Sequence, residues 1–317
     1  MRAVQQLAFG GPEVLEPAEL PDPAAGPGEL LVEVELAGVN FADTHQRRNE
    51  YLAEAELPFV PGSEVAGTVA GTGRRVVAMT GGRGGYAELA VVPEAMAFDL
   101  PQGLDAHEAL ALLVQGLTAW HLLRTCARLV PGESVAVHAG AGGTGSLAVQ
   151  LARVFGAGRV VATASSPEKR ELALSCGADA AIDGDPEGLA GRLAEAAGGE
   201  LDVVLDAIGG AVFEQSLEAL APFGRMVSYG VSGGKTNSVG TRALMKRSQA
   251  LVGFWLADCY GRPEMLGPPL AECFVLAASG RLRPLPGERY PLSEAARAQE
   301  DLAGRRTTGK LVLDVGA

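Results

Sequence analysis

Four cysteines and four histidines are all that 317 residues supply, and they narrow the chemistry at once. Cys126, Cys176, Cys259 and Cys273 stand far apart and form no CxxC pair, which excludes a disulfide framework and a four-cysteine metal loop. They read as small buried fillers in a reducing compartment. His107 reads as exposed near a helix start, and His121 and His138 read as packing residues. Only His45 falls in a region where a site is plausible, and no cysteine precedes Cys126, so a catalytic zinc has too few ligands. Basic charge is also scarce. Lys and Arg number 26 against 38 Asp and Glu, a net charge of -12, with no basic block, which leaves nucleic-acid binding without electrostatic support. The most apolar stretch, Ala109 to Leu123, is broken by Gln115, Gly116 and His121 and cannot span a membrane. No charged-then-apolar leader opens the chain, since Met1 to Phe9 reads as a strand, and the expected location is cytoplasmic.

Glycine, by contrast, is abundant. Within Ser134 to Ala157 an apolar run from Ser134 to Ala139 leads into Gly140, Gly142 and Gly145, spaced GxGxxG with Gly143 added. Leu147, Leu151, Val154 and Phe155 then repeat at helical spacing. In that order the first glycine permits a tight turn and the second admits a pyrophosphate close to backbone. The third lets helix and strand pack closely, and the helix start offers free N–H groups to the anion. A dinucleotide site is the expected reading.

Around this unit the chain divides. Residues 1 to about 114 read as strands and turns, with period-two alternation over Leu30 to Leu36 and short strands at Val65 to Val69 and Arg75 to Met79. No long helical pattern precedes Ala106. Ala106 to Val130 reads as helical. Beyond the glycine unit come strands at Arg159 to Ala164, Ala180 to Asp183, Leu201 to Ala207, Arg225 to Tyr229 and Ala250 to Leu256. Helices are expected at Pro167 to Cys176, Pro186 to Ala197 and Phe213 to Leu220. Six strands alternating with helices predict an α/β doubly wound parallel sheet from about 115 to 256. The tail has a helix over Pro268 to Ser279, Pro-rich turns at Pro284 and Pro286, and a strand over Lys310 to Val315. It is expected to fold back on the N-terminal β region.

The end of the second strand separates NAD from NADP. An NAD site wants a carboxylate about twenty residues past the glycines, to accept from the ribose hydroxyls. Here the sequence offers Ser165 and Ser166, then Lys169 and Arg170, which suit an additional phosphate; the alternative is a pair of solvated cations. NADPH is expected.

These residues carry a resemblance. The stretches Gly38-Val39-Asn40-Phe41-Ala42-Asp43-Thr44, Pro61-Gly62-Ser63-Glu64-Val65-Ala66-Gly67 and Gln115-Gly116-Leu117-Thr118-Ala119 keep the order of a known family. So do the loop at 139–145, Val227-Ser228-Tyr229-Gly230, Gly253-Phe254-Trp255-Leu256 and Thr307-Thr308-Gly309-Lys310. The chain resembles the zinc-free quinone oxidoreductases, the zeta-crystallin-like branch of the medium-chain dehydrogenase/reductase superfamily. The resemblance implies a mostly β GroES-like catalytic domain (1–114 and 257–317), a Rossmann NADPH-binding domain (115–256) and NADPH in the cleft of a homodimeric enzyme. It places Asn40 and Thr118 toward the nicotinamide, and Gly142, Gly143, Thr144 and Gly145 at the pyrophosphate. Ser165, Ser166 and Lys169 would meet the 2′-phosphate. Tyr229, Gly230, Phe254, Trp255 and Leu256 would flank the cofactor, with Lys310 reaching it from the tail. Two positions depart from relatives: Gly184 and His45 stand where tyrosines are common.

Hydride transfer to a quinone or enone builds negative charge on a carbonyl oxygen, so donors must be aimed there. Asn40, His45 and Tyr51 are the candidates. The product's proton comes either from His45 or from water. Glu64 reads as a structural carboxylate paired with an Arg. Three functions follow: an NADPH:quinone reductase, a reductase of α,β-unsaturated carbonyls, or a nonenzymatic NADPH-binding protein. The apolar run Ala250 to Leu256, last in the sheet, suggests an edge that pairs across a dimer axis.

Overall fold

A computed structural model describes all 317 residues. By contact the chain forms two compact units: Met1–Val114 with Cys259–Ala278 and Pro284–Ala317, and Gln115–Asp258 with Ser279–Arg283.

Unit 1 begins with the hairpin β1 (Arg2–Gln6) and β2 (Leu15–Glu19). Its main sheet is built on β3 (Glu29–Val39), in which Val32, Val34 and Leu36 turn inward at the two-residue period before the strand becomes buried throughout. Asn40 then starts a short helix, α1 (Phe41–Arg47), in a region expected to hold no long helical pattern. Seven residues are too few for a helical period to show against the background, and the carboxylate of Asp43 reaching back to the Asn40 N–H (2.8 Å) sets its start. Strands β4 (Glu64–Val69), β5 (Arg75–Met79), β6 (Leu89–Pro93) and β7 (Ala97–Asp99) follow. Helix α2 (Ala106–Leu110), capped by Asp105, leads into a π-helical stretch at Ala111–Gly116. Unit 2 then opens with α3 (Leu117–His121) and a second π-helical stretch, Leu122–Cys126.

The body of unit 2 is a six-stranded, wholly parallel sheet. Its strands are β8 (Ser134–Val137), β9 (Arg159–Thr163), β10 (Ala180–Ile182), β11 (Leu201–Asp206), β12 (Leu220–Ser228) and β13 (Ala250–Gly253). They lie in the order β10-β9-β8-β11-β12-β13. The chain winds outward twice from the β8–β11 pair, the doubly wound arrangement expected from the sequence. Helices α4 (Gly143–Val154), α5 (Pro167–Ser175), α6 (Leu189–Ala197) and α7 (Gly210–Glu218) make the connections. A further helix, α8 (Thr241–Arg247), has no buried residue, which is why no apolar period marked it. Val161, Leu193, Val204, Phe213 and Met226 are among the residues that form the core between sheet and helices.

The tail returns to unit 1 through α9 (Pro263–Ala278). Pro286, read from sequence as a turn, instead begins the strand β14 (Pro286–Pro291), parallel to β15 (Lys310–Asp314). It lies at the sheet's edge, where the missing proline N–H groups leave no ladder bond unmade. Between them lies α10 (Ala295–Ala303), also absent from the sequence reading. The sheet order is β14-β15-β3-β4-β5-β7, with β6 beside β3, so the fold-back of the tail onto the N-terminal strands is as expected.

Candidate functional site

In unit 1 three strands bring distant polar residues together. Leu311 of β15 pairs with Val39 of β3, and Ala37 of β3 pairs with Val65 of β4, so Lys310, Asn40 and Glu64 become neighbours. Lys310 and Glu64 are wholly buried, and Asn40 is 6 % exposed. The Lys310 ammonium donates to the Asn40 Oδ1 (2.8 Å), to the Val39 carbonyl (3.4 Å) and to Glu64 Oε1. Asn40 Nδ2 donates to the same Glu64 oxygen (2.7 Å) and, weakly, to Ser63 Oγ (3.4 Å). The other Glu64 oxygen accepts from the Val114 N–H at 3.2 Å. Gly38 makes room for this carboxylate, since a Cβ there would lie 2.6 Å from Oε1. Glu64 is therefore paired with a lysine and not with an arginine. Arginine's planar fork would not fill a point between a carboxylate, an amide and a carbonyl as a compact ammonium does. Lys310, expected to reach a cofactor, has all three N–H bonds directed within unit 1.

Asp43 extends the network. Its carboxylate accepts from the Asn40 N–H and the Tyr86 hydroxyl, both at 2.8 Å, and from Ser63 Oγ at 3.3 Å. Tyr86 is fully buried, and burial pushes its hydroxyl's pKa well up. His107, expected to be exposed, is buried and donates Nε2–H to the Lys310 carbonyl (2.6 Å), and burial lowers its pKa. Carbonyl oxygen only accepts, which fixes the proton on Nε2. Sequence reasoning missed Asp43 and Tyr86. Asp43 stood inside the quoted Gly38–Thr44 stretch as an acid beside an amide, but nothing local marked Tyr86.

Burial raises Asp43 to about 6, against the Asn40 N–H, the Tyr86 hydroxyl and the Lys310 charge, which pull it down. Its ordinary value is 3.8. The folded protein therefore holds this proton more tightly than the unfolded chain, and stability falls as pH rises from about 4 through 6. The charged carboxylate costs about 3 kcal/mol at neutral pH relative to the protonated one. Asp43→Asn lacks the titration, so the stability of the variant minus that of the parent should grow by about that amount between pH 4 and 7. Urea titrations at several pH values measure it, and a difference that stays flat with pH would refute the assignment.

The acceptor candidates lie on or just after α1. His45 sits tilted against the Phe41 ring at 5.3 Å, with Nδ1 3.8 Å from Glu50. Its Nε2 is buried with no partner, and burial lowers its pKa, leaving a neutral imidazole at pH 7. An orphaned ring nitrogen costs about 1–3 kcal/mol, which a water at that point would relieve. Tyr51 follows in the bend after α1.

In unit 2 the glycine loop leaves β8 at its carboxyl end and opens α4. Gly142 is the N-cap and carries no side chain to satisfy the first N–H groups. The loop has no room for side chains. A Cβ on Gly145 would lie 2.1 Å from the Ala139 carbonyl oxygen, and one on Gly143 would lie 2.1 Å from the Gln115 side chain. The Gln115 Oε1 there is buried without a partner. Thr144 lies in the first turn. Beneath the loop, buried His138 bridges Thr163 (3.0 Å) and Ser216 (2.6 Å), the packing role expected of it.

At the carboxyl end of β9, Ser165 is exposed and Ser166 caps α5 by accepting from the Lys169 N–H (3.3 Å). No carboxylate ends the strand; Glu168 lies in the first helical turn. Tyr229 and Gly230 follow β12, and Phe254, Trp255 and Leu256 follow β13. Phe254 stacks on His121 at 5.5 Å. Thr118 is on α3. Because the strands are parallel, the glycines, Ser165, Tyr229 and Phe254 all stand at one edge of the sheet. A pyrophosphate with a 2′-phosphate fits this donor set of uncapped helix N–H groups, hydroxyls and a lysine. No group of three or more His, Cys, Asp or Glu side chains converges in a metal-holding arrangement.

Comparison with known proteins agrees with this geometry. The alcohol dehydrogenase GroES-like domain family matches residues 26–102, and the zinc-binding dehydrogenase family matches residues 143–267. A quinone oxidoreductase of Pseudomonas aeruginosa is 38 % identical over 98 % of this chain and 99 % of its own. The chain belongs to the quinone oxidoreductases of the medium-chain dehydrogenase/reductase superfamily. Among solved quinone oxidoreductase structures, that of Escherichia coli complexed with NADPH superposes with a TM-score of 0.93 at 33 % identity, covering 99 % of this chain and 100 % of that one. That of Thermus thermophilus, solved with and without NADPH, gives 0.87 at 40 % identity with the same coverage.

Proposed function

We propose that this quinone oxidoreductase family member reduces quinones with NADPH and without a metal. The observation that carries the reading is the uncapped, glycine-lined start of α4 at the carboxyl edge of the parallel sheet. It offers backbone N–H groups to a pyrophosphate, with Gly142, Gly143, Thr144 and Gly145 as the cradle. Ser165 and Lys169 take the 2′-phosphate, with Ser166 holding that turn. Thr118, Tyr229, Gly230, Phe254, Trp255 and Leu256 flank the remainder. Relatives of the same length that are named quinone oxidoreductases, some solved with NADPH, support the quinone acceptor.

NADPH, when bound, supplies a hydride from its nicotinamide C4. The chain's residues do the rest. Asn40, His45 and Tyr51 are offered to the acceptor carbonyl, where two electrons arrive and negative charge grows. The hydride carries both electrons and one hydrogen, and a single proton, from His45 or from water, completes the hydroquinone and leaves the nicotinamide oxidised. The Lys310 ammonium already supplies a buried cation beside Glu64 and Asn40, which supports metal independence.

NADPH consumption on a panel of benzoquinones, naphthoquinones, enones and enals tests the reading, with a chelator arm and NADH in parallel. Turnover of quinones, unaffected by chelator and faster with NADPH, is expected. Reduction of enones alone would replace the acceptor class, and tight NADPH binding with no turnover would leave a nonenzymatic protein. We further assign a homodimer through β13, an edge strand whose Leu251 is 36 % exposed; sedimentation as a monomer at micromolar concentration would refute it. A cytoplasmic location accords with four free thiols, and cell fractionation checks it. No helix is long and apolar enough to cross a membrane.

A further inference from the structure

The chain contains only four lysines, Lys169, Lys235, Lys246 and Lys310, against 22 arginines, and one of the four is wholly buried. A buried ammonium is costly unless every N–H is used and an opposite charge lies beside it. Both conditions are met by Glu64, Asn40 and Val39. The consequence falls on Asn40. An amide's two ends are nearly alike in shape, and its orientation is set by its neighbours' chemistry. Lysine has only donors, so the atom facing it must be Oδ1. The carboxylate has only acceptors, so the atom facing it must be Nδ2. Lys310 and Glu64 together permit one orientation and forbid its flip.

We propose that Lys310 is a positioning residue for the reaction: with Glu64 it locks the Asn40 amide and leaves the second Nδ2–H as the donor for the acceptor carbonyl. That second N–H has only the long 3.4 Å contact to Ser63 Oγ, so a better acceptor can take it. The ammonium on Oδ1 also draws charge from the amide and strengthens the same N–H as a donor. Lys310 touches neither substrate nor cofactor in this role. The proposal rests on the reading of Asn40 as part of the acceptor site, and it separates orientation of the donor from binding of NADPH.

The chain has three asparagines, Asn40, Asn49 and Asn237, so protein labelled with 15N-asparagine shows three side-chain amide pairs in an NMR spectrum. Asn40→Asp assigns one of them. In the parent protein that pair should be widely split and slow to exchange with water. Lys310→Met should collapse it toward a free amide, lower kcat roughly 10–100-fold on the best quinone and leave the NADPH Kd within about twofold. Lys310→Met leaves Glu64 buried and unpaired, so the double variant Lys310→Met with Glu64→Gln, which removes both charges together, serves if the single variant does not fold. An unchanged Asn40 resonance in a folded variant would overturn the proposal, as would a collapsed resonance with unchanged kcat. A weakened NADPH Kd with kcat intact would make Lys310 a cofactor contact instead. If the parent turns over neither quinones nor enones, the functional reading fails, while the resonance still decides whether Lys310 holds Asn40.

Discussion

Gly145→Ala should lower NADPH affinity at least about a hundredfold, roughly 2.7 kcal/mol of binding free energy. The added Cβ would lie 2.1 Å from the Ala139 carbonyl oxygen and 2.8 Å from its carbon. That obstacle is backbone, held at a residue whose φ is already 53°, so it has little freedom to retreat. The start of α4 must move away from the turn instead, and the N–H groups aimed at the pyrophosphate move with it. Overpacking adds about 1–3 kcal/mol of lost stability. Gly191→Ala is the control: it lies within α6 with nothing within 4 Å of its Cβ position, and should stabilise by up to about 1 kcal/mol. NADPH titration by fluorescence, with thermal melts of both variants, reads the two effects separately. Normal NADPH affinity in a folded Gly145→Ala protein would remove the loop from the cofactor site.

Glu64→Ala should destabilise the protein by about 3–5 kcal/mol, because it strands the Lys310 ammonium in the interior. Asn40 Nδ2 and the Val114 N–H lose their acceptor in the same step. The double variant without either charge should recover most of the loss, since no unpaired ion remains. Urea midpoints for the two variants measure it. If the single variant proves no less stable than the double, the pair is not what holds this part of unit 1 together.

The glycine unit and the parallel sheet were legible because their signals are local. A valine-rich strand, a glycine turn and a helical period sit within about twenty residues, and the same alternation repeats along unit 2. The network in unit 1 was not legible. Asn40 and Lys310 are 270 residues apart, and only the register of β15 on β3 joins them. Seen as sequence, Lys310 is a cation near the end of a resembling stretch, and nothing local ties it to Asn40 or Glu64. Glu64 offered a carboxylate without a visible partner, and arginine was the natural choice in a chain where arginines outnumber lysines. His107 went astray for the same reason, since its partner is a backbone carbonyl of β15. Helices α1 and α10 are seven and nine residues long, and β14 is bounded by prolines; none carries enough period to stand out.

The place of β15 inside the sheet of unit 1, between β14 and β3, has a consequence for biosynthesis. A ribosome delivers Asn40 and Glu64 long before Lys310. At roughly 5–20 residues per second the gap is on the order of tens of seconds. Throughout that interval Glu64 has no counter-ion, and the β3 edge that β15 will cover stands open. Unit 2, nearly continuous in sequence, can close meanwhile. Nascent chains stalled before residue 310 should therefore resist protease over 115–258 and be cut readily within 1–114. Equal protection of both regions would show that the early strands close without the tail. On this account the last strand acts as a checkpoint on synthesis: an interrupted chain can own a finished nucleotide fold and still lack a usable site.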